Sequence, residues 1–183
     1  MGIVRAAAQV FRARGFARAG MREIALAADL SPANLYHYFH GKDQILFFCQ
    51  DRSLDRLLTA LERARRRKAP SRERLRQLAI DHLLCLLDEV DGSIAHLEID
   101  ALPPSLRGRI VRKRDRYELG IRQIVKAGAR RGDLRPCDPT VATRAYLGAL
   151  NWTASWFRPG GSYSPEALAP QIADCAVGGL VAR

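Results

Sequence analysis

Twenty-two residues, Met21 to Lys42 (MREIALAADLSPANLYHYFHGK), constrain the fold more than any other part of this chain. Met21, Ile24, Ala25 and Ala28 recur at helical spacing and give a short helix with one apolar side. Ala28-Asp29-Leu30-Ser31 then breaks the period. Asp tolerates the left-handed backbone region better than most residues with a side chain, so Asp29 suits a tight turn. Leu30 can plug the angle between two helices. Ser31-Pro32 is an N-cap followed by a first-turn proline, and it opens a second short helix to about Phe39 that Gly41 ends. Leu35 and Phe39 are four apart and face inward, so Asn34, His37 and Tyr38 face outward with Tyr36 beside them. Two short helices at a steep angle, the second presenting polar groups near its start, make a helix-turn-helix.

The rest of the chain carries the same 3.6-residue period, and no convincing strand pattern interrupts it. Ile3, Ala7, Val10 and Phe11 form one face of a first helix that Gly15 can end. Ile45, Cys49, Leu54, Leu57, Leu58 and Leu61 stripe a long fourth helix that stops before Pro70. Ser71 is read as the cap of a fifth, with Leu75, Leu78, Ala79, His82, Leu83, Leu86 and Leu87 on a wide apolar face. Asp91-Gly92-Ser93 breaks it, and a short sixth helix is expected from Ile94 to Ala101. A seventh runs from about Ser105 to Arg131, with Ile110, Tyr117, Ile121, Ile124 and Val125 inward and Gly132 as its cap. Asp138-Pro139 opens an eighth that is apolar nearly all round, and Ser164-Pro165 starts a last helix to about Val181. The expectation is an all-α fold of about nine helices.

Charge points to a polyanionic partner. The formal net charge is +11 with a pI near 10.2, and residues 1–68 carry net +7 against +4 for the other 115. A basic composition alone would also give this. No run approaches the ~20 continuous apolar residues of a membrane span. No basic-then-apolar leader precedes the first helix, so a cytoplasmic protein is expected. Cys49, Cys85, Cys137 and Cys175 lie 36, 52 and 38 residues apart, without metal-ligand or redox spacing. No phosphate loop, nucleophile elbow, HExxH or di-iron ExxH pair occurs, which argues against an enzyme, a metal site or a resident cofactor.

Residues 30–39 contain no Lys or Arg. Base reading would then fall to hydrogen bonds from Asn34 and His37, with Tyr36 flanking, and to apolar contact of Pro32 and Ala33 with thymine methyls. Phosphate contacts would come from Tyr38, Lys42, Arg22 and the basic first helix.

The stretch IVRAAAQVFRARGFARAGMREIALAADLSPANLYHYFHGKDQIL resembles the N-terminal domain of the tetracycline-repressor-like (TetR) family of bacterial regulators. The resemblance covers about residues 3–49 through the pattern AxxxFxxxGF, REIA and LSxxxLYxYFxxKDxIL. It implies a homodimer with a three-helix DNA-binding domain (residues 1–43) and a larger helical domain (44–183) that binds a small effector and dimerises. Effector binding would then release the operator. By motif position, Asn34, Tyr36 and His37 fall on base- or backbone-contacting positions, and Tyr38 and Lys42 on phosphate-contacting ones. The sequence departs from the family at Gly20, where Thr or Ser is usual, and at Asp29, where Gly is usual. It also starts at the first helix, without the basic arm that many members carry.

Tyr146 to Ala169 is similar to the C-terminal region of members that respond to acyl-CoA thioesters. A pocket of Leu83, Leu87, Tyr117, Ile121, Val125, Trp152 and Trp156 would suit an acyl chain or a sterol-derived ring. Arg158 and the basic run from Arg112 to Arg116 are candidates for CoA phosphates. The two tryptophans fit a core or an interface equally well, and the basic run fits a solvated face. His82 reads as a hydrogen-bonded core histidine. Small residues on the last two helices, Ala142, Ala145, Gly148 and Ala149 with Ala173 and Ala176, would allow close approach of a second subunit. A buried central helix in a monomer is the other reading of that composition. The function expected is that of a ligand-responsive repressor on an inverted-repeat operator. The alternatives are a non-specific DNA-binding helical protein and an activator with a non-CoA effector.

Overall fold

The computed structural model describes residues 2–88 and 99–181. Eight α-helices occur there: α1 (Ile3–Arg14), α2 (Met21–Ala27), α3 (Pro32–Tyr38), α4 (Lys42–Arg66), α5 (Ser71–Leu86), α6 (Pro104–Arg131), α7 (Pro139–Trp156) and α8 (Pro165–Gly178). No strand occurs among the described residues. The helix expected at Ile94–Ala101 falls mainly outside them, and its end, Ile99–Ala101, is a 3-10 turn. No helix among the described residues is long and apolar enough to cross a membrane.

The starts follow from local chemistry. Ser31 Oγ accepts from Asn34 N at 3.2 Å, Asp138 Oδ1 from Thr140 N and Val141 N at 2.8 Å each, and Ser164 Oγ from Ala167 N at 3.2 Å. A proline follows each cap, where the missing N–H costs nothing. Ser71 departs from expectation: Pro70 is the cap of α5, and Ser71 is the first helical residue. Its backbone N–H donates to Asp133, and its hydroxyl accepts from Arg131 at 2.8 Å. The cap is thus supplied 62 residues away in sequence, which local pattern does not reveal.

The chain divides into two compact units. One contains the described residues of Met1–Leu54 and Asp88–Arg112, the other Asp55–Leu87 and Lys113–Arg183. Helices α4 and α6 contribute residues to both units. In the first unit Ala6, Ala7, Phe11, Ile24, Ala25, Leu35, Ile45 and Leu46 are buried. These residues close a small core beneath the helix-turn-helix.

In the second unit every residue of the expected α5 stripe is buried. Tyr117, Ile121, Ile124 and Val125 of α6 are also buried. Leu61 of α4 lies against Gly120 of α6, where a Cβ would overlap its side chain. Leu86 and Leu87 cluster with Leu168, edged by Ala154, Phe157 and Ile172. Tyr146 and His82 are matched in this interior, whereas Thr143 Oγ1 is buried without a hydrogen-bond partner. Tyr146 Oη donates to the Leu75 carbonyl at 2.8 Å, and His82 lies between Tyr117 Oη (3.2 Å from Nδ1) and Asn151 Oδ1 (3.1 Å from Nε2). Asn151 Oδ1 can only accept, so Nε2 carries the proton and Nδ1 accepts from Tyr117.

Candidate nucleic-acid interface

The turn between α2 and α3 has the expected backbone. Asp29 has φ 58°, and it is the one described residue with a side chain at positive φ. Its N–H donates to the Leu26 carbonyl and that of Leu30 to Ala25, at 3.1 and 2.9 Å, which satisfies the carbonyls at the end of α2. At the start of α2, Gly20 N donates to Glu23 Oε2 at 3.0 Å. Gly20 therefore receives half of a capping box from Glu23 and has no side chain to return the other half. Glu23 also pairs with Arg14 at 3.3 Å.

Helix α3 is nearly free of the protein. Leu35 is its single buried residue, while Pro32, Ala33, Asn34, Tyr36, His37 and Tyr38 are all exposed. Tyr38 is 64% exposed, more than a core aromatic would be. His37 and Tyr38 stack edge to face with centroids 5.5 Å apart, which narrows the freedom of both rings. Phe39 is half-buried and meets Phe48 edge to face at 5.9 Å. Arg22 is exposed on α2. The helix thus offers hydrogen-bonding and apolar groups along one open face, as major-groove reading requires.

Lys42 stands differently from its expected place at a phosphate. Its Nζ donates to the carbonyls of Phe16, Ala17 and Ala19 at 2.9, 2.8 and 3.1 Å. The ammonium also lies 4.8 Å from the centre of the Phe16 ring. An ammonium has three N–H groups, so all are engaged.

On the effector side the predicted residues divide. Leu83, Leu87, Tyr117, Ile121 and Val125 are buried. Trp152 and Trp156 are 70% and 41% exposed, so they do not close a pocket with those five inside the protomer. They continue a stripe of α7 formed by Val141, Ala145, Gly148 and Ala149, all exposed. Ala142 and Ala173 are buried in the protomer's own core and are not available to a partner, while Ala176 is half-buried. Apolar periodicity located these helices, but a helix that is apolar all round does not reveal which side stays open.

The basic run is largely engaged. Lys113 pairs with Asp55 at 2.7 Å, and Arg116 approaches Glu62 at 3.9 Å. Arg158 donates back to the Ser155 and Phe157 carbonyls. A shallow groove of about 520 Å³ is lined by Asp55, Leu58, Thr59, Glu62, Arg63, Arg66 and Arg116. It includes Arg116 of the basic run but none of the seven residues expected to line the acyl pocket. Cys49 and Cys85 are buried, Cys137 is half-buried and Cys175 exposed; none of the four forms a disulfide.

Two family descriptions match. Residues 3–47 match "Bacterial regulatory proteins, tetR family", and residues 68–180 match "Tetracyclin repressor-like, C-terminal domain". Among solved structures, the chain is similar to the TetR family transcriptional regulator PfmR from Thermus thermophilus. The two are 32% identical, with 98% of each chain covered and a TM-score of 0.88. It is also similar to AibR, solved in complex with isovaleryl coenzyme A and operator DNA. That match has 30% identity, covers 98% of this chain and 96% of the other, and has a TM-score of 0.82. A weaker likeness, 23% over 98% of this chain and 94% of the other, is to the fatty acid metabolism regulator protein of Bacillus subtilis (strain 168). A 71-residue match at 38% identity, spanning 39% of this chain and 32% of the other, is to the HTH-type transcriptional activator FasR of Mycolicibacterium smegmatis.

Proposed function

The chain belongs to the TetR family of bacterial transcriptional regulators, and from that premise we propose that it is a repressor which binds an inverted-repeat operator as a homodimer. The observation that carries this reading is the open face of α3, on which only Leu35 is buried. Asn34 and His37 read base edges, Pro32 and Ala33 contact thymine methyls, and Tyr36 flanks them. Tyr38, Arg22 and the basic first helix meet phosphates. With no Lys or Arg in residues 30–39, one α3 gives little affinity alone. Two copies joined through the open stripe of α7 would supply the rest.

A CoA thioester is the proposed effector, supported by the 30% identity to AibR over nearly the whole chain. In this reading the acyl group lies among Leu83, Tyr117, Ile121 and Val125. The polar atoms offered to a thioester there are those of the His82–Tyr117 pair. An activator role is the second reading, because FasR carries that description.

Selection from random duplex DNA followed by footprinting tests the first part. Protection of a short inverted repeat supports the regulator, and uniform coating contradicts it. A panel of acyl-CoAs, isovaleryl-CoA included, added to the operator complex tests the second. Release of DNA or a raised melting temperature supports a CoA effector; no response to any member removes it. Transcription from an operator-bearing template, with and without protein, separates repression from activation.

A further inference from the structure

The connection from α1 to α2 is short and not helical. Gly15, at φ 73°, turns the chain out of α1, and its N–H closes on the Phe11 carbonyl at 2.8 Å. The carbonyls that follow lie just beyond the C-terminal end of α1, where the helix macrodipole favours a cation. Lys42 is the first residue of α4. A helix start is the wrong end for a positive charge, so the dipole of α4 gives no reason for a lysine there. The three carbonyls give that reason, at 2.8–3.1 Å from Nζ, and the Phe16 ring adds a cation–π contact. Phe16 is itself fixed against Phe11, their centroids 5.2 Å apart.

Topology makes this contact informative. Residues 20–41 contain the cap of α2, α2, the turn, α3 and the three-residue connection to α4. Lys42 joins the residue just after that stretch to the residues just before it. We infer that Lys42 is a positioning residue: its ammonium closes a loop around the helix-turn-helix and fixes the angle at which α3 is presented, without itself touching DNA. A phosphate oxygen would have to displace a carbonyl to reach it. The effect on operator binding rests on the reading of α3 given above, whereas the engagement of the ammonium does not.

Acylation of the wild-type protein tests the engagement directly. The chain has four lysines, Lys42, Lys68, Lys113 and Lys126, and Lys68 and Lys126 are exposed controls. With an N-hydroxysuccinimide acetate reagent and peptide mass spectrometry, Lys42 should label at least tenfold more slowly than Lys68 and Lys126 in the free protein. A smaller difference overturns the clamp, whether or not the protein proves to bind an operator.

Operator titrations over a range of salt then test the positioning. Both Lys42→Met and Lys42→Arg, checked by circular dichroism to be folded at the assay temperature, should lose at least tenfold in operator affinity. The flat fork of Arg cannot aim three N–H groups at three converging carbonyls. Their operator-to-random affinity ratio should fall, and their salt slope should stay at the wild-type value. A slope reduced by about 0.9 in Lys42→Met, with wild-type affinity in Lys42→Arg, would make Lys42 a phosphate contact and contradict the proposal.

Discussion

The Nδ1 of His82 faces the hydroxyl of Tyr117 at 3.2 Å, and both residues are buried in the second unit. Burial pushes the His82 imidazole down to about 4, partly opposed by its hydrogen bond to Asn151. Burial likewise pushes the Tyr117 phenol well above its ordinary value. The pair is neutral at pH 7, Tyr117 donating to His82.

The folded-state value for His82 lies below the unfolded 6.5, so the unfolded chain binds the extra proton first. The neutral histidine's contribution is complete above about pH 6.5 and is lost as pH falls towards 4. Between pH 7 and pH 5 the loss should be about 2 kcal/mol. Urea unfolding of wild type and His82→Gln at the two pH values measures it. The variant should lack that part of the pH dependence, and an equal slope in both proteins would refute the assignment.

Gly120 should tolerate no side chain. A Cβ there meets Cδ1, Cδ2 and Cγ of Leu61, a fully buried side chain with little room to give way. Gly120→Ala is expected to cost about 1–3 kcal/mol, the range for overpacking. In a double-mutant cycle, Leu61→Ala should relieve part of that cost. Strict additivity of the two changes would place the strain elsewhere.

The turn at Asp29 should accept glycine. At φ 58° glycine carries no Cβ penalty, so Asp29→Gly should raise stability by about 0.5–1 kcal/mol, while Asp29→Val should lower it by about 1–2 kcal/mol. Thermal melts of the two variants would show opposite signs. A stabilising valine would be inconsistent with the left-handed turn.

Periodicity and caps carried most of the fold. Leu35 inward with Asn34 and His37 outward, the left-handed Asp29, and the Ser31, Asp138 and Ser164 caps were legible because each depends on neighbours within four residues. What was not legible depends on partners far along the chain. Lys42 meets carbonyls 23 to 26 residues away, and Ser71 meets Asp133 from 62 residues away. Trp152 shows a different limit. Its spacing placed it on an apolar helix but left open whether that side faces a pocket, a core or a partner.

The α7 stripe carries the dimer proposal. Val141 and Trp152 are 67% and 70% exposed, and Ala145 and Gly148 lie between them. Solvent-facing tryptophan beside small residues is the composition of a surface that is covered in use. Val141→Glu with Trp152→Glu should give a protein of half the mass by sedimentation, with operator affinity lost. An unchanged mass would put the interface elsewhere.

The central claim is that α3 reads bases through Asn34 and His37. The most direct measurement is fluorescence-anisotropy titration of Asn34→Ala and His37→Ala on the selected operator and on random duplex of equal length and salt. Each substitution should cost about 1–3 kcal/mol on the operator and leave binding to random DNA nearly unchanged. An equal loss on both DNAs would contradict the claim and leave α3 a helix that only touches the backbone.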